Sequence, residues 1–140
     1  MSEAQQMTQP HEFLHPKHWK KPKGYANGIA AEGRLVFLAG QIGWSAEQQF
    51  ESDDFVAQTR QALMNIVALV GEAGGTAEHI TRLTWFVTDK REYMSRLIEL
   101  GQAYRNVMGK HFPVMTLVQV VALVEDRAKV EIEATAVVPH

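Results

Sequence analysis

Cysteine is absent from all 140 residues. Disulfides, thiolate nucleophiles and Cys-ligated zinc are therefore excluded. No apolar run approaches the ~18 residues needed to span a bilayer. The opening "MSEAQQMTQP" lacks the basic-then-apolar order of a secretion signal, so the cytoplasm is the expected location. A surplus of one charge sign is also missing: 14 Lys and Arg face 16 Asp and Glu, a net charge of -2. That balance points neither to general nucleic-acid binding nor to an acidic tail. What is there is 46% hydrophobic residues in a chain of single-domain length, enough for one core.

Residues 1–23 are polar and interrupted by Pro10, Pro16 and Pro22, which reads as an N-terminal arm with little regular structure. The single domain is expected over 24–138. "YANGIAAEGRLVFLAGQIG" suggests two short strands meeting at Glu32-Gly33, the second running from Arg34 to about Gln41. A helix is expected over 52–73, with Ser52 as cap, Asp53 and Asp54 at the positive end of its dipole, and Gly74-Gly75 as its stop. Phe55, Ala62, Leu63, Ile66, Val70 and Ala73 would be its inward face.

"HITRLTWFVTD" reads as a strand, and Asp89 with Glu92 as the capping box of a second helix over about 90–109. Met94, Leu97, Ile98, Tyr104 and Met108 would face inward. Two strands, about 115–124 and 128–138, close the chain around a turn near Glu125-Asp126. The order β-β-α-β-α-β-β predicts a two-layer α+β domain with a sheet covered by two helices on one face.

Both faces of strand 115–124 are apolar apart from Thr116 and Gln119, and strand 34–41 is nearly as apolar on both sides. Two helices cover only one face, and a wet face would show polar residues at every second position. The uncovered face predicts an oligomer.

The last strand differs. In "KVEIEATAV", Val130, Ile132, Ala134 and Ala136 alternate with Lys129, Glu131, Glu133 and Thr135. A carboxylate turned toward an interface would gain basicity by desolvation; a solvated edge or an inter-subunit ion pair explains the same pattern. Other candidates carry less. His11, His15 and His18 lie close together without an acidic partner, and no metal site is expected. "KHWKKPK" reads as a solvated basic arm before an RNA contact. His111 is a possible proton carrier or an exposed loop residue. Trp44 and Trp85 read as packing residues.

The blocks "GYANGI", "LVFLAGQIG", "HFPVMTLVQV" and "VEIEATAVV", at these spacings over residues 23–138, resemble the YjgF/RidA family, also labelled endoribonuclease L-PSP. The resemblance implies a chorismate-mutase-like fold with a mixed sheet, assembled as a homotrimer around a central barrel. Small-metabolite clefts would lie between subunits, with no cofactor or membrane partner expected; the family label suggests RNA cleavage, but without a nuclease dyad or a broad basic surface a nucleic-acid partner is not expected. It also implies hydrolysis of reactive enamines and imines to a keto acid and ammonia. Carried onto this chain, the catalytic positions fall on Glu131, which positions water, and Tyr25. The substrate-binding positions fall on Gly40, Gln41, Met115 and Thr116.

The departures are specific. The family's "PAR" reads Pro113-Val114-Met115 here, so a thioether replaces the carboxylate-binding arginine. The family's helix asparagine falls on Gly101 and the serine of its turn on Ala39. Methionine cannot reproduce a two-pronged, charge-assisted grip on a carboxylate. Two readings follow: a hydrolytic deaminase with a larger or less anionic substrate, or a metabolite-binding trimer without turnover. A ribonuclease role comes third. Lys23 and Arg34 are candidate replacement cations.

Overall fold

The computed structural model describes residues 10–140; the first nine residues of the expected arm lie outside the described residues. Within the remainder of that arm, Glu12–Leu14 forms a strand, β1, which pairs antiparallel with β2, Gly28–Ala30. Strand β3, Arg34–Ile42, follows at once but joins a different sheet. The strands on either side of Glu32-Gly33 are therefore not partners. Gly33, at φ 146, passes so close to the end of the last strand that a Cβ would lie 2.3 Å from Val138 O. Only glycine fits both that backbone conformation and that approach.

Helix α1, Phe55–Glu72, realises the strongest helical signal, with Phe55, Ala62, Leu63, Ile66 and Val70 buried as the periodicity predicts. Its cap is Asp54 rather than Ser52. Asp54 Oδ2 accepts from Ala57 N at 3.0 Å, while Ser52 Oγ accepts from Asp54 N at 3.0 Å, two residues too early to cap. Gly74 at φ 81 ends the helix. A 3-10 turn, Ala77–His79, leads into β4, Ile80–Val87.

The second expected helix is two. α2, Lys90–Ser95, is capped by Asp89, whose Oδ1 accepts from Arg91 N at 2.9 Å. Arg96, at φ -123 and ψ 28, breaks the run before α3, Leu97–Met108. Its guanidinium is held by Asp54 at 2.7 Å and Glu99 at 2.5 Å. The break turns Met94, Leu97 and Ile98 outward, at 62%, 47% and 80% exposure, against the expectation that they face inward. Leu100, Ala103, Tyr104 and Met108 supply the buried face instead.

Strand β5, Val114–Gln119, is shorter than expected. Gln119 Oε1 accepts from Lys90 N at 2.8 Å, and past this point the strand has only one further ladder bond, Val120 N to Val87 O. β6, Val130–Val138, completes a four-stranded sheet in the order β3-β6-β4-β5. The β4–β5 pair is parallel and the others antiparallel. Helices α1 and α3 pack with Leu83, Trp85, Val87, Val130, Ile132 and Ala134 into one core. On the other face of the sheet alternate residues of β3 open outward, with Leu35 65% and Phe37 75% exposed. The fold is α+β with a mixed sheet covered on one face. No helix among the described residues is long and apolar enough to cross a membrane.

Candidate functional site

The residues singled out in the sequence separate into two groups on opposite sides of the sheet. Strand β5 shows why. Met115 and Leu117 stand level with Leu83 and Trp85 of β4 and pack toward the core, whereas Thr116 stands level with Thr84 and is exposed on the open face.

On the helical side, a cavity of about 340 Å³ opens between β5, α2, α3 and the segment after the arm. Tyr25 and Met115 both line it. Tyr25 is brought there by the backbone: Ala26 N donates to Pro113 O at 3.0 Å, and Ala26 forms a parallel bridge with Val114. The rest of the wall is largely aromatic. Tyr104 and Phe112 stack with centroids 5.1 Å apart, and Trp85 meets Tyr93 edge-on at 6.4 Å. Tyr104 Oη donates to His111 O at 2.7 Å, and burial raises its phenol pKa well above the usual value. Burial also raises that of Tyr93. Both stay protonated at neutral pH and serve as walls.

On the open face, Glu131 sits level with Phe86 of β4 and Ile42 of β3. The β3–β6 register shifts between Leu38 and Gln41, and this bulge places Gly40 against the carboxylate. A Cβ on residue 40 would lie 2.6 Å from Glu131 Oε1. The start of β6 is fixed by buried Gln58, whose Oε1 accepts from Lys129 N at 2.8 Å and whose Nε2 donates to Arg127 O at 3.0 Å. Gln41 turns back on its own strand, donating to Ala39 O at 3.1 Å.

One chain thus brings Tyr25 together with Met115, and Gly40 with Glu131, but does not bring the two pairs together. Of the two candidate cations, Lys23 lines the cavity, whereas the Arg34 guanidinium is engaged by Ala73 O. Trp85 is a packing residue, 3% exposed, and a cavity wall as well. Sequence reasoning missed Tyr93 and Phe112, whose roles depend on the α2–α3 break and the Tyr104 stack.

His11, His15 and His111 have structural partners. His11 Nε2 lies 3.1 Å from His79 O, and His15 Nε2 lies 3.0 Å from Trp19 O. His111 is half-buried rather than exposed, with Nε2 2.7 Å from Ile80 O; burial lowers its pKa. Among the described residues, no three His, Asp or Glu side chains converge on a metal position.

Residues 18–138 match the family model described as "Endoribonuclease L-PSP". A RutC family protein of Haemophilus influenzae is 35% identical over 75% of this chain and 80% of its own length. The 2-iminobutanoate/2-iminopropanoate deaminase of Salmonella typhimurium is 33% identical over 81% of this chain and 86% of that protein. Among solved structures, a Rid-family protein of unknown function from Yersinia pestis superposes with TM-score 0.81 at 26% identity, covering 92% of this chain and 99% of that one. The chain belongs to the endoribonuclease L-PSP family, the YjgF/Rid family that its sequence blocks resemble.

Proposed function

We propose that this chain is a hydrolytic deaminase of a reactive imine or enamine metabolite, acting without a cofactor in clefts between the subunits of a cytoplasmic homotrimer. The observation that carries the reading is the Gly40–Glu131 juxtaposition, a carboxylate seated where the opposing residue has no side chain. The Salmonella relative is named for imine deamination, which supports the same class of chemistry.

The open face supports the assembly. Leu35, Phe37 and Val118 are exposed there at 65%, 75% and 41%, an apolar surface suited to burial against further copies. The cleft between subunits that the family resemblance implies would set Glu131 of one subunit against the Tyr25–Met115 cavity of another. Glu131 then takes a proton from water as the water oxygen attacks the C=N carbon. The C=N electron pair moves to nitrogen, which takes the proton that Glu131 received from water. The resulting carbinolamine passes its hydroxyl proton, by way of Glu131, to the departing nitrogen as the C–N bond breaks, giving a carbonyl product and ammonia. Tyr25 and main-chain groups at Gly40 orient the ligand.

Met115 gives the cleft a thioether where the family resemblance expects a guanidinium, so a larger or less anionic imine is favoured over small 2-imino acids. Ammonia release from a panel of imines generated in solution tests the reading, with Glu131→Gln expected to abolish most of it. A panel without turnover would favour the alternative, a metabolite-binding trimer; the separation of Glu131 from the cavity within one chain is the observation on that side.

A further inference from the structure

We infer that the cavity beside Met115 binds an anion with a bulky, largely aromatic body, its charged end held by Lys23. This rests on the functional reading above only in taking the cavity as the ligand cleft; it requires no turnover.

The cavity wall supplies the argument. Its volume of about 340 Å³ lies at the low end of small-molecule sites, which suits a ligand of on the order of ten heavy atoms. A three-carbon acid would leave much of that apolar wall in contact with water. The stacked Tyr104–Phe112 pair and the Trp85–Tyr93 edge contact present aromatic surfaces on more than one side, an environment that favours a ring. On the α3 wall Gly101 carries no side chain, and the Arg105 guanidinium lies over it, with Nη1 3.1 Å from where a Cβ would stand.

Against this lining, Lys23 is the one charged residue among those described. No ion pair among the described residues involves it. Its place is set by the chain: Gly24 turns the backbone at φ 77, and Ala26, two residues on, is pinned to Pro113. An ammonium beside an apolar wall attracts an anion more strongly than one surrounded by water. No carboxylate of the same chain lines the cavity to compete for it.

The test is calorimetric binding to the intact, full-length protein. The probes are 3-phenyl-2-oxopropanoate, pyruvate and phenylacetone, which carry ring and carboxylate, carboxylate alone, and ring alone. The expected result is that the first binds roughly tenfold more tightly than either of the others. Lys23→Gln, at an exposed position, should weaken it roughly fivefold while leaving phenylacetone unchanged. Equal binding of pyruvate and the phenyl acid would overturn the aromatic assignment. A Lys23→Gln variant that binds the phenyl acid as well as wild type, or loses both ring probes equally, would overturn the role of Lys23. Selective binding without ammonia release from any imine upholds this inference and removes the deaminase reading. Ammonia release without ring preference does the reverse.

Discussion

Gly40 and Glu131 meet across the β3–β6 pair with no room for a side chain between them, since a Cβ on residue 40 would lie 2.6 Å from Oε1 and 2.8 Å from Cδ of the glutamate. The contact is with the far end of a side chain, so an alanine there displaces the carboxylate and leaves the strands in place. Gly40→Ala is expected to cut kcat for imine hydrolysis at least tenfold, because a displacement of about 1 Å at a reacting group can cost two decades. The thermal midpoint should move by only a few degrees. Full activity in a folded Gly40→Ala protein would mean that Glu131 is not held by this contact.

Met115 occupies a helix-facing position of β5 at the wall of the cavity. Met115→Arg places a guanidinium where a small carboxylate can be gripped in bidentate fashion. The ratio of kcat/KM for 2-iminopropanoate to that for a phenyl-bearing imine is expected to rise at least tenfold, at a cost of about 1–2 kcal/mol in stability. A folded variant with an unchanged ratio would place substrate choice elsewhere in the wall, with Gly101 the first residue to examine.

Much of this arrangement was legible in the sequence, for local reasons. The i, i+3, i+4 spacing from Phe55 to Val70 specifies α1, and the alternation in β6 separates Glu131 from the core side without further information. What escaped was decided by partners distant in the chain. Arg96 splits the expected second helix while paired with Asp54, 42 positions away, and no local residue signals the break. β1 forms in a proline-interrupted arm because β2 offers it a ladder. Lys23 reads as one cation of a solvated basic run. Only the Ala26–Pro113 bond, which brings the segment to β5, makes it a cavity residue. That Tyr25 and Glu131 would fall in different halves of the site could not be seen without the pairing register.

Three histidines join the arm to the domain. His11 lies beside His79 with ring centroids 6.2 Å apart, and His111 packs edge-on against Phe13 at 6.1 Å. His79 Nδ1 accepts from Thr76 N at 2.9 Å, a bond that protonation removes. Burial lowers the pKa of both His79 and His111 below the ordinary 6.5, and His11 adds to the effect, while nearby Glu78 opposes it. Folded protein therefore binds fewer protons than unfolded protein as pH falls through 6.5, and stability declines until the lowered folded-state values are passed. The thermal midpoint should fall between pH 7 and pH 5, before the carboxylates titrate near their usual ~4. In the double variant His79→Gln, His111→Gln that slope should flatten. An unchanged slope in the double variant would assign the acid sensitivity to other groups.

The central claim, that each working site joins the Glu131 of one subunit to the Tyr25–Met115 cavity of another, has a direct test in mixed oligomers. Glu131→Gln and Tyr25→Ala chains, each nearly inactive alone, are co-expressed with different tags, and mixed assemblies are assayed for ammonia release. In every mixed trimer, two-to-one or one-to-two, one of the three interfaces pairs an intact cavity with an intact glutamate, so the mixed assemblies should recover to about one third of wild-type activity. Mixed assemblies no more active than the two parents would contradict a site shared between subunits.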